Sequence, residues 1–172
     1  VETEALVRKA RQGDKDALVQ LIMAEKQSYY KLAMVYMKNS EDAMDAMEDM
    51  ILILYENISR LKNESSFYSW SKTILVNCCK SSLKKKSKVV FLETLKEEQS
   101  HSPVEEKDEQ LRLEKHLGEL NLKQQEVIRL RYFMDMDYQS IAELLKIPLG
   151  TVKSRISIGL NKLKVVLGGE EL

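Results

Sequence analysis

Cysteine is scarce in this 172-residue chain, present only as the adjacent pair Cys78–Cys79. Neighbours on a predicted helix point in different directions, so the pair makes neither a disulfide framework nor a metal-ligand spacing. Reduced cytosolic thiols are expected, at least one of them buried. Long apolar runs are missing too. None approaches the ~20 residues that cross a bilayer, and no signal-peptide pattern is visible, so a cytoplasmic location is expected. Catalytic constellations are also absent: there is no nucleophile beside a base, no phosphate loop and no purposeful carboxylate pair. His101 and His116 lack any partner pattern and are expected at the surface. A non-enzyme is expected, with no metal, cofactor or small-molecule substrate.

Charge of one sign is the last absence, since 27 Lys and Arg balance 27 Asp and Glu. Net charge therefore says nothing for a polyanionic partner, but the distribution does. Residues 80 to 88 carry five lysines and no acid. Residues 93 to 109 carry seven acids against Lys96 and Lys107, a net of −5. Residues 121 to 167 carry eight bases and four acids, a net of +4. Two basic blocks around an acidic one suit a protein that touches a polyanion at two places.

The periodicity is helical almost throughout and divides the chain in three. Residues 1–86 read as one helical domain. Its opening helix covers Thr3 to Arg11, and a longer one runs from the Gly13–Asp14 break to about Lys38 with Ala17, Leu18, Leu21, Ile22, Leu32, Ala33 and Tyr36 as core. A third helix is capped by Asn39–Ser40 and buries Ala43, Met47, Met50, Ile51, Leu54 and Ile58. Its opposite face is acidic, with Asp42, Asp45, Glu48 and Asp49. Lys62 to Ser66 (KNESS) is a polar loop of turn formers. A last helix, Ser66 to Lys86, turns Phe67, Trp70, Ile74 and Cys78 inward, and this spacing places Trp70 in the core rather than against a base. Residues 87–108 read as an acidic flexible linker with a breaker cluster at Ser100–Pro103. Its run Val89–Leu92 is expected to be an extended segment docked on something else. Residues 109–172 form a second helical domain that begins with Leu111, Leu117 and Leu120 and ends in a frayed tail after Leu167.

Residues 138 to 164 carry the most information. Ile141, Ala142, Leu144 and Leu145 give a short helix an apolar stripe, with small Ala142 where a second helix can cross closely. Pro148 disfavours helix at Ile147 and suits the first turn of a new helix. Val152, Ile156, Leu160 and Leu163 then share one face, and Thr151, Lys153, Ser154, Arg155 and Ser157 occupy the other. One buried side and one side of hydroxyls and cations suit a recognition helix in the major groove. Its first-turn amides can hold a phosphate. An ordinary amphipathic helix pair with a solvated polar face has the same pattern.

The segment LxxxxxxVIxLRYFxxxxYxxIAELLxIPxGTVKSRI, following a helical domain and an acidic linker, resembles an extracytoplasmic-function (ECF) sigma factor of the bacterial sigma-70 family. Ala43, Asp45 and Glu48 correspond to that family's A-x-D-x-x-Q stretch. Phe67–Trp70 and Asn77 correspond to its F-x-x-W-L-x-x-I-A-x-N stretch. The resemblance covers nearly the whole chain. It implies an all-α, two-domain promoter-specificity subunit that directs core RNA polymerase to promoter DNA, serves a stress regulon and is held by an anti-sigma factor, usually membrane-anchored. By the same resemblance Asp42, Asp45, Glu48 and Asp49 face the polymerase. Lys62, Asn63, Glu64, Ser65 and Ser66 capture a flipped base of the −10 element, with Asn77, Lys80, Lys84, Lys85 and Lys86 on the melted strand. Thr151, Lys153, Ser154, Arg155, Ser157 and Lys162 read the −35 element. The alternative is a helix-turn-helix transcription factor that does not bind core polymerase. Four departures from the family stand out: Glu48 for Gln, Ser71 for Leu, Lys146 for a turn Gly, and Ile158–Gly159 for Arg-Ala.

Overall fold

The computed structural model describes residues 2–94, 109–166 and 168, and all regular structure among them is helical. Of the linker expected at 87–108, residues 87–94 are helical, and residues 95–108, with His101 and the Ser100–Pro103 cluster, lie outside the described residues, as does the tail apart from Gly168. The chain divides into two compact units, residues 1–89 and 90–172.

The first unit contains α1 (Glu2–Arg11), α2 (Lys15–Ala24), α3 (Lys26–Met37), α4 (Ser40–Asn57) and all but the last five residues of α5 (Phe67–Thr94). Gly13 takes φ +101° and ends α1, and the Asp14 side chain caps α2 by accepting from Ala17 N–H at 3.1 Å. The single helix expected to Lys38 is two. At Glu25 the backbone leaves helical geometry, and its N–H turns to the Ile22 carbonyl at 3.2 Å. The Leu21 carbonyl instead accepts the Tyr68 hydroxyl at 3.0 Å. Apolar periodicity runs straight through this break, because the bond that compensates it comes from α5, 47 residues away. Left-handed Lys38 (φ 65°) closes α3, and Asn39 caps α4 by accepting from Asp42 N–H at 2.9 Å.

The core of this unit comprises Leu21, Tyr29, Leu32, Met50, Leu54, Phe67 and Leu75, all essentially inaccessible. Each aliphatic or aromatic side chain of this size contributes roughly 1.5–3 kcal/mol on burial. Tyr36 and Ile74 are only half-buried, and Ile51 is exposed. Along α5 the buried face runs through Phe67, Ser71, Leu75 and Cys79, with Val76 and Cys78 beside it. It is centred one position away from the expected stripe, leaving Trp70 half-buried with its ring 6.1 Å from that of Phe67. The cause is Ser71, a polar residue at 0% exposure that pairs with the buried Tyr29 hydroxyl at 2.7 Å. Both cysteines are buried, and burial pushes the Cys79 thiol up to about 12. The Val89–Leu92 run is not extended: α5 continues to Thr94, since nothing between Lys86 and Thr94 breaks a helix.

The second unit contains α6 (Glu109–Leu117), α7 (Leu122–Tyr132), α8 (Tyr138–Leu145) and α9 (Leu149–Val166). Asn121 caps α7 and Asp137 caps α8, accepting from Gln124 and Ser140 N–H at 2.9 and 2.7 Å. The Ser140 backbone N–H holds the Asp137 carboxyl below the usual carboxylate range. Lys146 adopts φ 55°, the left-handed corner where the family favours glycine. The Pro148 carbonyl then accepts from Thr151 and Val152 N–H, opening α9. Leu117, Leu120, Ile128 and Leu163 form one apolar cluster with Leu160 at its edge. Arg129, 5% exposed, is held bidentately by Glu114 of α6 at 2.5 and 2.7 Å and lies over the Phe133 ring.

Candidate functional site

Helix α4 presents two exposed surfaces in series. Asp45, Glu48 and Asp49 stand in solvent near its N-terminal half, and Leu52, Ile53 and Tyr55 follow, Leu52 at 62% exposure. Asp42 is different. Its carboxylate pairs with Lys86 of α5 and with the Asn39 amide, and the bond from Lys86 first, then that from Asn39, holds it below the usual carboxylate range. Three of the four expected acids are therefore exposed, while the fourth ties α4 to the end of α5.

Between α4 and α5 lies an open groove of about 620 Å³, lined by Asp49, Leu52, Ile53, Asn77, Cys78 and Lys85 among others. It joins one of the α4 acids, Asp49, to two of the residues expected on the melted strand, Asn77 and Lys85. Asn77, Lys80, Lys84 and Lys85 are all exposed on α5. Asn77, Lys80 and Lys84 recur at three and four residues, which sets them along one side of the helix.

The KNESS segment is more ordered than a loop of turn formers requires. Glu64–Ser66 forms a single 3-10 turn, and the Asn63 side-chain oxygen accepts from both Ser65 N–H at 3.1 Å and Ser65 Oγ at 2.8 Å. Glu64 is gripped by two arginines of α1: Arg8 Nε meets Oε2 at 2.9 Å and Arg11 Nη1 meets Oε1 at 3.4 Å. Ser66 is half-buried, its carbonyl accepting from Ser69 Oγ at 3.0 Å. Lys62, Asn63, Glu64 and Ser65, with Glu4 of α1, line an open cavity of about 310 Å³.

On α9, Lys153, Ser154 and Ser157 are exposed opposite buried Val152 and Ile156. Ser154 Oγ donates to the Thr151 carbonyl at 3.2 Å and keeps its lone pairs as acceptors. Thr151 and Arg155 flank this surface half-buried. Lys162 leans back onto Gln124 of α7 at 3.5 Å, away from the exposed serines. Ile158, at 48% exposure, puts an aliphatic side chain on the surface where the resembled family often has a cation. The first turn of α9 holds no acid, so nothing competes with an anion for its amides.

Residues 21–89 match Sigma-70 region 2, and residues 116–165 match Sigma-70, region 4. RNA polymerase sigma factor SigV of Bacillus subtilis is 30% identical over 164 residues, covering 95% of this chain and 99% of the relative. ECF RNA polymerase sigma factor SigW of the same organism is 25% identical, covering 92% of each chain. The chain belongs to the ECF sigma factors of the sigma-70 family. It is a promoter-specificity subunit that directs core RNA polymerase to promoters and initiates transcription. The fold agrees with a solved sigma factor, RpoE of Bartonella quintana in complex with the anti-sigma factor NepR. That likeness has TM-score 0.65 and 22% identity, over 88% of this chain and 97% of that one. No helix among the described residues of this sigma factor is long and apolar enough to cross a membrane.

Motif and periodicity reasoning located the sigma factor's exposed polar residues but missed the groups that hold them. Arg8 and Arg11 lie more than fifty positions from Glu64 and look like ordinary basic residues at the end of a helix. Their spacing of three, which places both on one side of α1, was the available signal. The burial of Arg129, Gln124 and Ser71 left no trace in the apolar pattern. Nor did the burial of Gly159, where an added Cβ would stand 2.5 Å from Ile128 Cδ1.

Proposed function

We propose that this sigma factor divides its work among three surfaces. The exposed stretch of α4, with Asp45, Glu48 and Asp49 leading into Leu52 and Tyr55, docks on a basic and apolar surface of core RNA polymerase. Asp42 supports that helix from the side through Lys86. The cavity beside KNESS receives a base flipped out of the −10 element, a step whose unstacking cost has to be returned by interactions in the pocket. Asn77, Lys80, Lys84 and Lys85 hold the phosphates of the melted strand, a contribution that is sequence-blind and sensitive to salt. Ser154 and Ser157 of α9 read the −35 duplex in the major groove, Lys153, Thr151 and Arg155 touch its backbone, and Lys162 serves packing more than recognition.

The observation that carries this reading is the α4 surface. A stand-alone helix-turn-helix factor has no use for an exposed acidic face continuous with exposed Leu52 and Tyr55 on a separate unit. The same surface supports a second partner, an anti-sigma factor of the kind named in the Bartonella quintana complex. Here it is anchored in the membrane, holds the chain at the cytoplasmic face, and releases it to a stress regulon.

Run-off transcription with purified core polymerase on a genomic library is the test. Specific initiation with the wild type, abolished together with core co-purification when Asp45 and Glu48 are reversed to Lys, is expected. Retention of core binding by a folded double reversal would remove α4 from the interface.

A further inference from the structure

Helix α1 lies upstream of the segment matched to region 2, which begins at residue 21. It is nonetheless fixed in the same unit, with Val7 and Ala10 buried, and it packs against a 3-10 turn at Ile58–Arg60 just before the KNESS segment and against the Glu64–Ser66 turn within it. Resting on the −10 reading above, we infer that α1 is itself part of the base-reading site. Arg8 and Arg11 position the capture loop through Glu64, and Glu4 forms an acceptor wall of the cavity that favours a base with an exocyclic amine.

The division of polar groups supports this. Two guanidinium groups one turn apart take the two oxygens of the Glu64 carboxylate separately. That fixes both the position and the rotation of the side chain, which one ion pair would leave free to swing. Glu64 is thereby committed to holding the loop, and the Asn63 carbonyl oxygen is committed to Ser65 in the same way. Toward the cavity the loop offers the Lys62 ammonium and the Asn63 amide nitrogen as donors, with only the uncharged Ser65 hydroxyl left as a side-chain acceptor not already held. Glu4, half-buried on α1, supplies a carboxylate acceptor among the lining residues. Adenine, cytosine and guanine carry an exocyclic amine that a carboxylate can accept from, and thymine carries none. A carboxylate in the wall also repels phosphate, so the cavity takes a base rather than the backbone beside it. Exposed Arg–Glu pairs add little to stability, so a pair that constrains a reading loop is expected to show in selectivity first.

The experiment is run-off transcription with core polymerase and the full chain on a promoter library randomised across the −10 element, with melting temperature measured on every variant. Arg8→Ala with Arg11→Ala should flatten base preference at the captured position by about tenfold, the usual worth of reading one base, and leave −35 preference unchanged. Arg8→Lys with Arg11→Lys should restore most of it. Glu4→Met, of similar length but without an oxygen acceptor, should reduce discrimination against thymine about fivefold at an unchanged melting temperature. A folded Arg-to-Ala variant with the wild-type profile overturns the positioning role, and an unchanged profile for Glu4→Met overturns the wall. Exchange of KNESS for another sigma factor's loop runs alongside. If that exchange shifts −10 preference while no α1 variant does, the inference falls and the base-capture reading stands. If the exchange shifts nothing, both fall.

Discussion

The two promoter-reading surfaces are built on opposite plans. The α9 surface is local: one helix carries Lys153, Ser154 and Ser157 outward and Val152 and Ile156 inward, and the 3.6-residue repeat does the sorting. The KNESS surface is assembled from afar, with Glu64 tied to Arg8 and Arg11 across more than fifty positions and Asn63 folded onto Ser65. A rigid helix can present several side chains without committing polar groups to support. A loop has to commit them, and here it commits Glu64 and one end of Asn63. The supporting units differ as well. The N-terminal unit buries neutral polar groups, Tyr29 with Ser71, while the C-terminal unit buries a cation, Arg129, against a half-exposed acid.

The largest effect is expected where the C-terminal unit depends on charge. Glu114→Ala leaves the Arg129 guanidinium buried without its bidentate partner, and breaking such a pair costs about 3 kcal/mol. Hydrogen exchange on the full chain should show α7 and α9 deprotected and α2 to α5 unchanged. Equal deprotection in both units would mean that the pair is not specific to the second one.

The N-terminal counterpart is smaller and uncharged. Ser71→Ala strands the Tyr29 hydroxyl in the core, a cost of about 2 kcal/mol. Tyr29→Phe in the same chain should recover part of it, because two absent partners cost less than one orphan. Alkaline pH sharpens the contrast further. The Cys79 thiol is pushed up to about 12 against about 8.5 for a free thiol, and burial also raises the Tyr29 hydroxyl. The unfolded chain therefore releases protons that the folded unit keeps. Stability is fully present below the unfolded values and declines as pH rises through them toward the folded ones. Melting followed from pH 8 to 11 should show the N-terminal unit losing stability and Cys79→Ala reducing the slope. A slope unaffected by that substitution would mean that the thiol titrates alike in the two states.

Legibility in the sequence follows the same division. The Asn39 cap, the left-handed corner at Lys146 and the outward face of α9 could all be read, since each rests on residues within four positions of one another. The Asn121 and Asp137 caps are as local, but motif and periodicity reasoning missed them. The break at Glu25, the shifted face of α5 and the Glu64 clamp could not. Each depends on a partner dozens of residues away: Tyr68 on Leu21, Tyr29 on Ser71, and Arg8 and Arg11 on Glu64. Ser71 misled most directly, because a serine among apolar residues reads as the edge of a buried face when it is the centre. The helical Val89–Leu92 run misleads for a different reason, a β-rich composition overruled by continuity with the preceding helix.

Recognition itself should split along the comparison. Ser154→Ala with Ser157→Ala should relax −35 preference by about 1–2 kcal/mol for each base no longer read, leaving −10 preference intact. Lys153→Ala should weaken all sequences alike and lower the salt dependence of binding, as removal of a phosphate ligand does. Competition binding to a −35 duplex series separates the outcomes, and a serine double mutant with unchanged preference would move reading to another part of α9.

The smallest net effect is expected at Gly159, where two terms nearly cancel. An alanine there gains about 1 kcal/mol of helix propensity over glycine. Against this, its Cβ would stand 2.5 Å from Ile128 Cδ1 and 3.5 Å from Gln124 Cβ, at the crossing of α7 and α9. Ile128 is itself buried, so its terminal methyl has to rotate within a filled core, and overpacking of this kind costs about 1–3 kcal/mol. Gly159→Ala alone should therefore destabilise the C-terminal unit by about 0–2 kcal/mol. Adding Ile128→Val removes the δ-methyl that meets the new Cβ and lets the propensity gain show, so the double variant should be more stable than Ile128→Val alone. The sign of that difference is the measurement. Were Gly159→Ala to cost the same in the Ile128→Val background as in the wild type, the close crossing would rest on backbone packing between the helices rather than on this one methyl group.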